Sequence, residues 1–385
     1  MNRWVRAYTF VAVQLLNTLL LFLALNVGLA VVYRVRAWAR PAPVPVPVVP
    51  AVFDLDAYST ISREQAVEYI QEELRMQGVG FQYEPWLLFR NPEHRGRLLN
   101  TDAHGFRRTR SPERRCVEPV RIFVFGGSTT FGYGVPDEQT IPSYLQAHLE
   151  RRHPARCFQI SNYGQGFFYS SQEMLLFIGL LKDGQVPDWA IFVDGANDTY
   201  QLSARRDVPY FSHVVQSLWD ARRLGPACPS FDWSWLPAAR LTSAIQKRIW
   251  GPPPAPGNDD PPPVPDADRS GTYAADRYKT NARMIRALCA EYGVQCRFVW
   301  QPTRFNYDDR ARRSGEVPKF WTEAYEAIRQ WRADDLLFLG DLFVGVREKV
   351  FVDDVHYNEA WNARIAGHIA DLVDAGARRD RRSAR

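Results

Sequence analysis

RIFVFGGSTTFGYG, running from Arg121 to Gly134, is the stretch from which the fold of this chain can be read outward. Its first five residues are apolar without alternation after the opening arginine, as in a strand buried on both faces. Two glycines and a serine then break the run, which marks a tight strand-to-helix turn. The same grammar returns at FQISNYG (158 to 164), DWAIFVDG (188 to 195), CRFVWQP (296 to 302) and DLLFLG (335 to 340). Helical periodicity fills the intervals, around Ile141 to Arg151, Ser171 to Lys182, Tyr273 to Tyr292 and Lys319 to Trp331, with a last helix over Glu359 to Ala375. Apolar strands alternating with helices predict the α/β class, a three-layer α/β/α sandwich with a central parallel sheet of flavodoxin-like type.

In open sheets of this kind ligands bind beyond the carboxyl ends of the strands. Three polar motifs fall there. Ser128 ends the first strand in GGST; taken alone it reads equally as a helix cap or a phosphate-loop residue. It is not the hydrolase elbow GxSxG, because position 130 is Thr130. Gly195, Asn197 and Asp198 end the third strand in DGAND, and an asparagine there either caps a helix or presents a neutral amide to a developing oxyanion. In VDDVHYNEAWN, Asp353 stands three residues before His356, close enough to orient the imidazole and leave Nε2 to take a proton from a hydroxyl. Asp354, next to the histidine, points elsewhere by adjacency, so Asp353 is the expected acid.

With these blocks in this order, the sequence resembles the SGNH (GDSL-like) hydrolase superfamily over about Asn100 to Ala375. The resemblance rests on GGST where many members have GDS, on GAND, on DDVH, and on the flanking TFGYGVPDEQTIPSYLQ and HYNEAWN. It implies a nucleophile, Ser128, a base, His356, and an acid, Asp353. It also implies an oxyanion hole from the N–H of Ser128, the amide of Asn197 and a backbone N–H of the second block. In that block, NYGQGFFYSSQE, relatives commonly have glycine five residues after the asparagine, where this chain has Phe167; Gly166 is the expected donor, with Phe167 and Gly164 beside it. Gly127 replaces the aspartate of GDS, which removes no triad member.

The chemistry so implied is a serine esterase or acyl hydrolase working through an acyl-serine, on an acylated carbohydrate or lipid, without cofactor or metal. An O-acyltransferase of envelope polysaccharide with the same triad is an alternative, as is a non-catalytic binding or assembly module. A P-loop is a weak reading, since the lysine of GxxxxGK[ST] is missing. His104, in NTDAHGFR, reads as a structural contact rather than a site residue.

Upstream, residues 7–33 carry no charge and include VAVQLLNTLLLFLALNVGLAVV, long enough to cross a hydrocarbon layer of roughly 30 Å. A retained anchor is expected rather than a cleaved signal peptide, whose apolar core is shorter. Arg3 and Arg6 before it and Arg34, Arg36 and Arg40 after it leave orientation open by charge alone. The expected organisation is a tail and transmembrane helix (1–40), a proline-rich stalk (41–52), a helical and irregular extension (53–115), and a hydrolase-like domain (116–377) followed by a basic tail (378–385). Within that domain an insertion at 201–270 has an aromatic half (Tyr210, Phe211, Trp219, Phe231, Trp233, Trp235), read as a lid or substrate wall, and a proline-rich half read as an exposed loop.

The five cysteines form no CxxC and no metal-like cluster with histidine. Cys116 and Cys157 precede adjacent strands, and Cys289 and Cys296 flank one turn. Two disulfides are expected, against buried free thiols, and would place the domain outside the cytoplasm, on the periplasmic side of a single-pass membrane protein. Composition excludes disorder, at 46% apolar residues in a chain of 385. The net charge of +5 is concentrated in the last eight residues, with five arginines and one aspartate, so nucleic acid is not an expected partner.

Overall fold

The computed structural model describes residues 3–39, 47–114, 117–212, 236–250, 269–307 and 317–383. They divide between two compact units, one of Met1–Val46 with His213–Pro261, the other of Pro47–Ser212 with Pro262–Arg385. In chain order the principal helices are α1 (Arg3–Ala39), α2 (Arg63–Val79), α3 (Ser128–Phe131), α4 (Ile141–Arg152), α5 (Ser170–Lys182), α6 (Ala196–Arg205), α7 (Pro237–Trp250), α8 (Gly271–Tyr292), α9 (Lys319–Arg329) and α10 (Glu359–Ser383). The principal strands are β1 (Val120–Gly126), β2 (Phe158–Gly164), β3 (Trp189–Asp194), β4 (Gln295–Trp300) and β5 (Leu336–Phe338).

These five strands make one parallel sheet in the order β2-β1-β3-β4-β5, the doubly wound arrangement expected. Period-two alternation sends each strand's residues to opposite layers. Ile122 and Val124 of β1, with Ile191 and Val193 of β3, pack on Leu145 and Leu149 of α4 and on Ile365 and Ile369 of α10. Phe123, Phe125, Phe192 and Phe298 face the other way, onto Leu176 and Phe177 of α5 and Ile285 of α8. On that face Phe125, Phe192 and Phe298 stack across three neighbouring strands, with centroids 4.7 and 5.6 Å apart. Burying each such ring stabilises the fold by about 1.5–3 kcal/mol.

Local signals start and stop the helices. Thr140 accepts from the Ser143 N–H to open α4, Ser270 does the same from Tyr273 for α8, and Gly293 closes α8 in the left-handed region. Two details differ from the sequence reading. The irregular part of the extension contains two short antiparallel hairpins, Gln82–Glu84 with Leu88–Arg90 and His94–Arg95 with Asn100–Thr101. The last helix does not stop near Ala375 before a frayed basic tail but runs to Ser383, since arginine is a good helix former and is favoured at a helix C-terminus.

Cys289 and Cys296 form a disulfide between the end of α8 and the start of β4, with Cα atoms 6.2 Å apart. Cys157 is also disulfide-bonded, while Cys116 lies outside the described residues.

In the other unit, α1 carries an apolar span within Arg3–Arg36, long and apolar enough to be a membrane span or a signal sequence. Asn26, its buried polar residue, donates to the Phe22 carbonyl and accepts from the Ala238 N–H at the start of α7 (3.1 Å). Trp219, Phe231, Trp233, Trp235 and the proline-rich run after α7 lie outside the described residues, as does the first part of the stalk.

Candidate active site

Three turns at the carboxyl edge of the sheet converge on Ser128. The first follows β1, where Gly127 precedes α3 and Ser128 opens it. The second follows β2, and its Gln165 N–H bonds to the Gly126 carbonyl (3.0 Å). The third follows β3 and starts α6, where the Asn197 amide donates to the Phe168 carbonyl (2.7 Å) and Asp198 accepts from the Ser170 N–H (3.1 Å). The second and third turns are thus tied to each other beside the serine.

His356 comes from the loop before α10. Its Nε2 lies 2.8 Å from Oγ of Ser128, and its Nδ1 lies 2.7 Å from Oδ2 of Asp353. A carboxylate only accepts, so Nδ1 carries the proton and Nε2 is left to accept from the serine hydroxyl. The other oxygen of Asp353 accepts the N–H groups of Val355 (2.8 Å) and His356 (2.7 Å), which fixes the acid beneath the ring. Burial acts to raise the Asp353 pKa, but the charge and hydrogen bond of His356 and these two N–H groups outweigh it and hold it below the ordinary value. For His356 burial acts downward, and the charge and hydrogen bond of Asp353, with the charge of Glu73, more than offset it, so the ring titrates above its ordinary value. A partly buried histidine of raised basicity, with its proton on Nδ1, faces a serine at a helix start, an arrangement suited to nucleophilic catalysis.

Asp354 points away, as expected, and pairs with Arg304. His104 lies elsewhere, stacked near Phe106 and lining a cavity of about 600 Å³ that Ser128 does not line. A smaller cavity of about 240 Å³ is lined by Thr129, which follows Ser128 in the chain, by Val355 and Tyr357, which flank His356, and by Ala196, Pro302, Phe305 and Trp321 among others.

In the second block Gly166 is buried and Phe167 is exposed. The residue in the left-handed region is Phe167, at φ 63°. It occupies the position where the family resemblance leads one to expect glycine, the residue for which that conformation is cheapest. Among the described residues, neither the Gly166 nor the Phe167 N–H has an acceptor. Tyr210 and Phe211 of the expected wall sit on this turn, with the Tyr210 ring stacked on Phe167 at 4.6 Å.

Residues 124–364 match the sequence model of the GDSL-like lipase/acylhydrolase family. The chain belongs to that family. It is an ester-hydrolysing enzyme with the three-layer fold that the family resemblance implied. Several solved structures are similar to this GDSL-family chain. They include the psychrotrophic esterase EstA from Pseudoalteromonas sp. (12% identity, 67% of this chain and 99% of that one, TM-score 0.36). Axe2, an acetylxylan esterase from Geobacillus stearothermophilus, is similar at 13% identity, covering 66% and 94%, with TM-score 0.35. So is a member of the lipolytic protein G-D-S-L family from Veillonella parvula DSM 2008, at 14% identity, covering 64% and 94%, with TM-score 0.35. No curated protein matches the chain.

The sequence reading did not anticipate two groups around this GDSL-type site. One is Tyr69, Glu73 and Arg107 of the extension, buried against the turn after Ser128. The other is a cluster of buried acids beside Asn197, in which Asp198 of the DGAND motif is joined by Glu173 and Asp194. The signal for Glu73 was present in the spacing Ala66, Tyr69, Ile70, Glu73, Met76, an apolar helix face that a charge interrupts.

Proposed function

We propose that this protein is a membrane-anchored serine esterase in which Ser128 is the nucleophile, His356 the general base and Asp353 the residue that orients it. The observation that carries the reading is the hydrogen-bonded line from Ser128 Oγ through His356 to Asp353. His356 takes the hydroxyl proton at Nε2 as Ser128 Oγ attacks the ester carbonyl carbon. The tetrahedral oxyanion is received by the Ser128 N–H, the Asn197 amide and an N–H of the Gly166–Phe167 turn. Collapse breaks the bond to the alcohol, which leaves with the proton from His356, and water, deprotonated by the same base, releases the acid and restores Ser128.

The substrate class we favour is an acyl ester of an envelope carbohydrate or lipid. The apolar cavity lined by Thr129, next to the serine in the chain, suits a short acyl group, and the Phe167, Tyr210 and Phe211 rings offer faces to a sugar or chain. The disulfide at Cys289 and Cys296 favours an oxidising compartment, with α1 retained as anchor and the sheet unit on the periplasmic side.

The test is hydrolysis of acetyl to octanoyl nitrophenyl esters by the full chain and by Ser128→Ala, with saccharide acceptors added in parallel. Serine-dependent release of acid supports the esterase, and faster transfer to the saccharide than to water would replace it with an acyltransferase. Turnover that survives Ser128→Ala would overturn the assignment of the nucleophile.

A further inference from the structure

The extension before the family-matched region reaches the turn that follows the nucleophile. Residues Gly132 to Val135 pass from α3 beneath the histidine loop. Gly134 is at φ 86°, and a Cβ there would press on Val352 and lie 3.7 Å from Cβ of His356. No side chain fits between this turn and the loop that carries Asp353 and His356.

Glu73, Tyr58 and Arg107 of the extension hold that turn by its backbone, and Tyr69 braces Glu73. Glu73 Oε2 accepts the Gly134 N–H (2.8 Å), and Tyr58 donates its hydroxyl to the Gly134 carbonyl (2.6 Å). Arg107 donates to the carbonyls of Gly132 (3.2 Å) and Val135 (2.9 Å). The Tyr69 hydroxyl lies 2.7 Å from Glu73 Oε2 and 3.1 Å from the Gly132 carbonyl. All four lie outside residues 124–364, which the family model matches.

We propose that Glu73 is a positioning residue of the active site, which seats the Gly132–Val135 turn under His356 and places a negative charge near His356, besides that of Asp353, to favour the imidazolium formed during catalysis. The inference rests on the serine-esterase reading above. Glu73 is fully buried, and its other oxygen accepts from Gln77 (3.0 Å). The groups facing it are Tyr58, Tyr69, Tyr133, Arg107 and His356. Facing His356 are Ser128 at Nε2, Asp353 at Nδ1, the Tyr133 ring at 5.4 Å and Glu73. Burial pushes the Glu73 carboxyl up, while the Gly134 N–H, the His356 charge, the Tyr69 hydroxyl and Arg107 pull against it. Among the described residues, Glu73 is the extension's carboxylate that, with Asp353, raises the basicity of His356.

The experiment is the pH profile of kcat/KM for 4-nitrophenyl acetate, from pH 5 to 9, with the full chain in detergent. Wild type is compared with Glu73→Gln, Tyr58→Phe and Ser128→Ala. Glu73→Gln keeps the shape and one acceptor oxygen but loses the charge. Its acid limb is expected to move down by roughly half to one pH unit, because removing a negative charge makes the imidazolium easier to deprotonate. Its plateau kcat is expected to fall several-fold with little change in KM. Tyr58→Phe loosens the turn without changing charge, so kcat should fall while the acid limb stays in place. A Glu73→Gln profile that superimposes on wild type, with Ser128→Ala inactive, overturns this inference alone. Activity that persists in Ser128→Ala overturns the esterase reading and this inference with it. If Glu73→Gln does not fold, Tyr58→Phe decides: a reduced kcat at an unmoved limb supports positioning, and an unchanged kcat rejects it.

Discussion

Gly127 and Asn197 are fitted to each other across two turns of the sheet edge. A Cβ on residue 127 would lie well inside contact distance of Nδ2 of Asn197 and 3.0 Å from the Phe168 carbonyl oxygen. The backbone of Gly127 is ordinary, at φ −81°, so space and not torsion requires glycine here. The GDS form of the motif, with aspartate before the serine, could not enter this site without moving Asn197. What looks in sequence like a lost acid is the room in which the amide sits.

Gly127→Ala should therefore act on catalysis more than on folding. A methyl at this point displaces the Asn197 amide, and loss of one oxyanion donor lowers kcat by on the order of 10²-fold. Overpacking costs about 1–3 kcal/mol, which a domain of this size tolerates. Steady-state kinetics beside a melting curve check it; a Gly127→Ala enzyme with wild-type kcat would show that Asn197 is not a donor.

With His356 as the proposed base, its raised pKa sets the acid side of the activity profile. The base must be neutral to accept the serine proton, so kcat/KM should rise with pH through a value above the ordinary histidine pKa of 6.5. Asp353→Asn removes the largest charge that raises it and loses control of the tautomer. Its kcat should fall by on the order of 10⁴-fold. A profile titrating below 6.5 in wild type would mean that another group limits the acid side.

Much of this fold is legible because a parallel strand buried on both faces has little choice of residue. RIFVFG, FQISNYG and WAIFVD mark three neighbouring strands with boundaries correct to about one residue. Ser128, Asn197, Asp353 and His356 are legible for a related reason, since each sits in a short motif at a strand end or helix start. Glu73 and Arg107 were hidden because burial of charge breaks the rule by which cores are found. Glu73 is satisfied by backbone and hydroxyl donors, and Arg107 is held by Asp137 (2.5 Å) and the ring of Phe131, partners far along the chain and in no local pattern. The helix α7 was hidden between prolines and aromatics that suggest only a loop.

The buried acids behind Asn197 predict a pH dependence of stability. Taken as carboxylates, both oxygens of Glu173 and of Asp194 and one of Asp198 have no partner among the described residues. Protonated, Asp194 bonds to Glu173 and Asp198. Burial, with the neighbouring carboxylates, raises Glu173 and Asp194 well above the usual range, and burial raises Asp198 from 3.8 to about 6. A folded-state pKa above the unfolded one means the native state holds more protons, so this contribution is full below pH 3.8 and declines as pH rises towards 6. Asp198→Asn keeps an acceptor for the Ser170 N–H and needs no proton. Between pH 4 and 7 it should lose about 2 kcal/mol less than wild type, most of the shift at about 1.4 kcal/mol per pKa unit. Parallel pH dependence of the two melting temperatures would count against shared protons.

Phe167→Gly separates what the second turn does by its backbone from what it does by its side chain. Glycine accepts φ 63° at little cost, whereas phenylalanine there is strained by about 1–2 kcal/mol. The Phe167 ring, 37% exposed, stacks on Tyr210 and meets Phe81 and Phe211 edge-on, so removing it forfeits packing of similar size. Stability should therefore change little. If the turn contributes only an N–H to the oxyanion, kcat for an acetyl ester should stay within about threefold of wild type, since that donor survives. An octanoyl ester that lies against the ring should lose about 1–3 kcal/mol of binding, seen as a KM raised about fivefold or more. A fall in kcat for both esters together, with KM unchanged, would instead mean that the ring holds the turn's N–H in place, and the wall would have to be sought at Trp321 and Phe305.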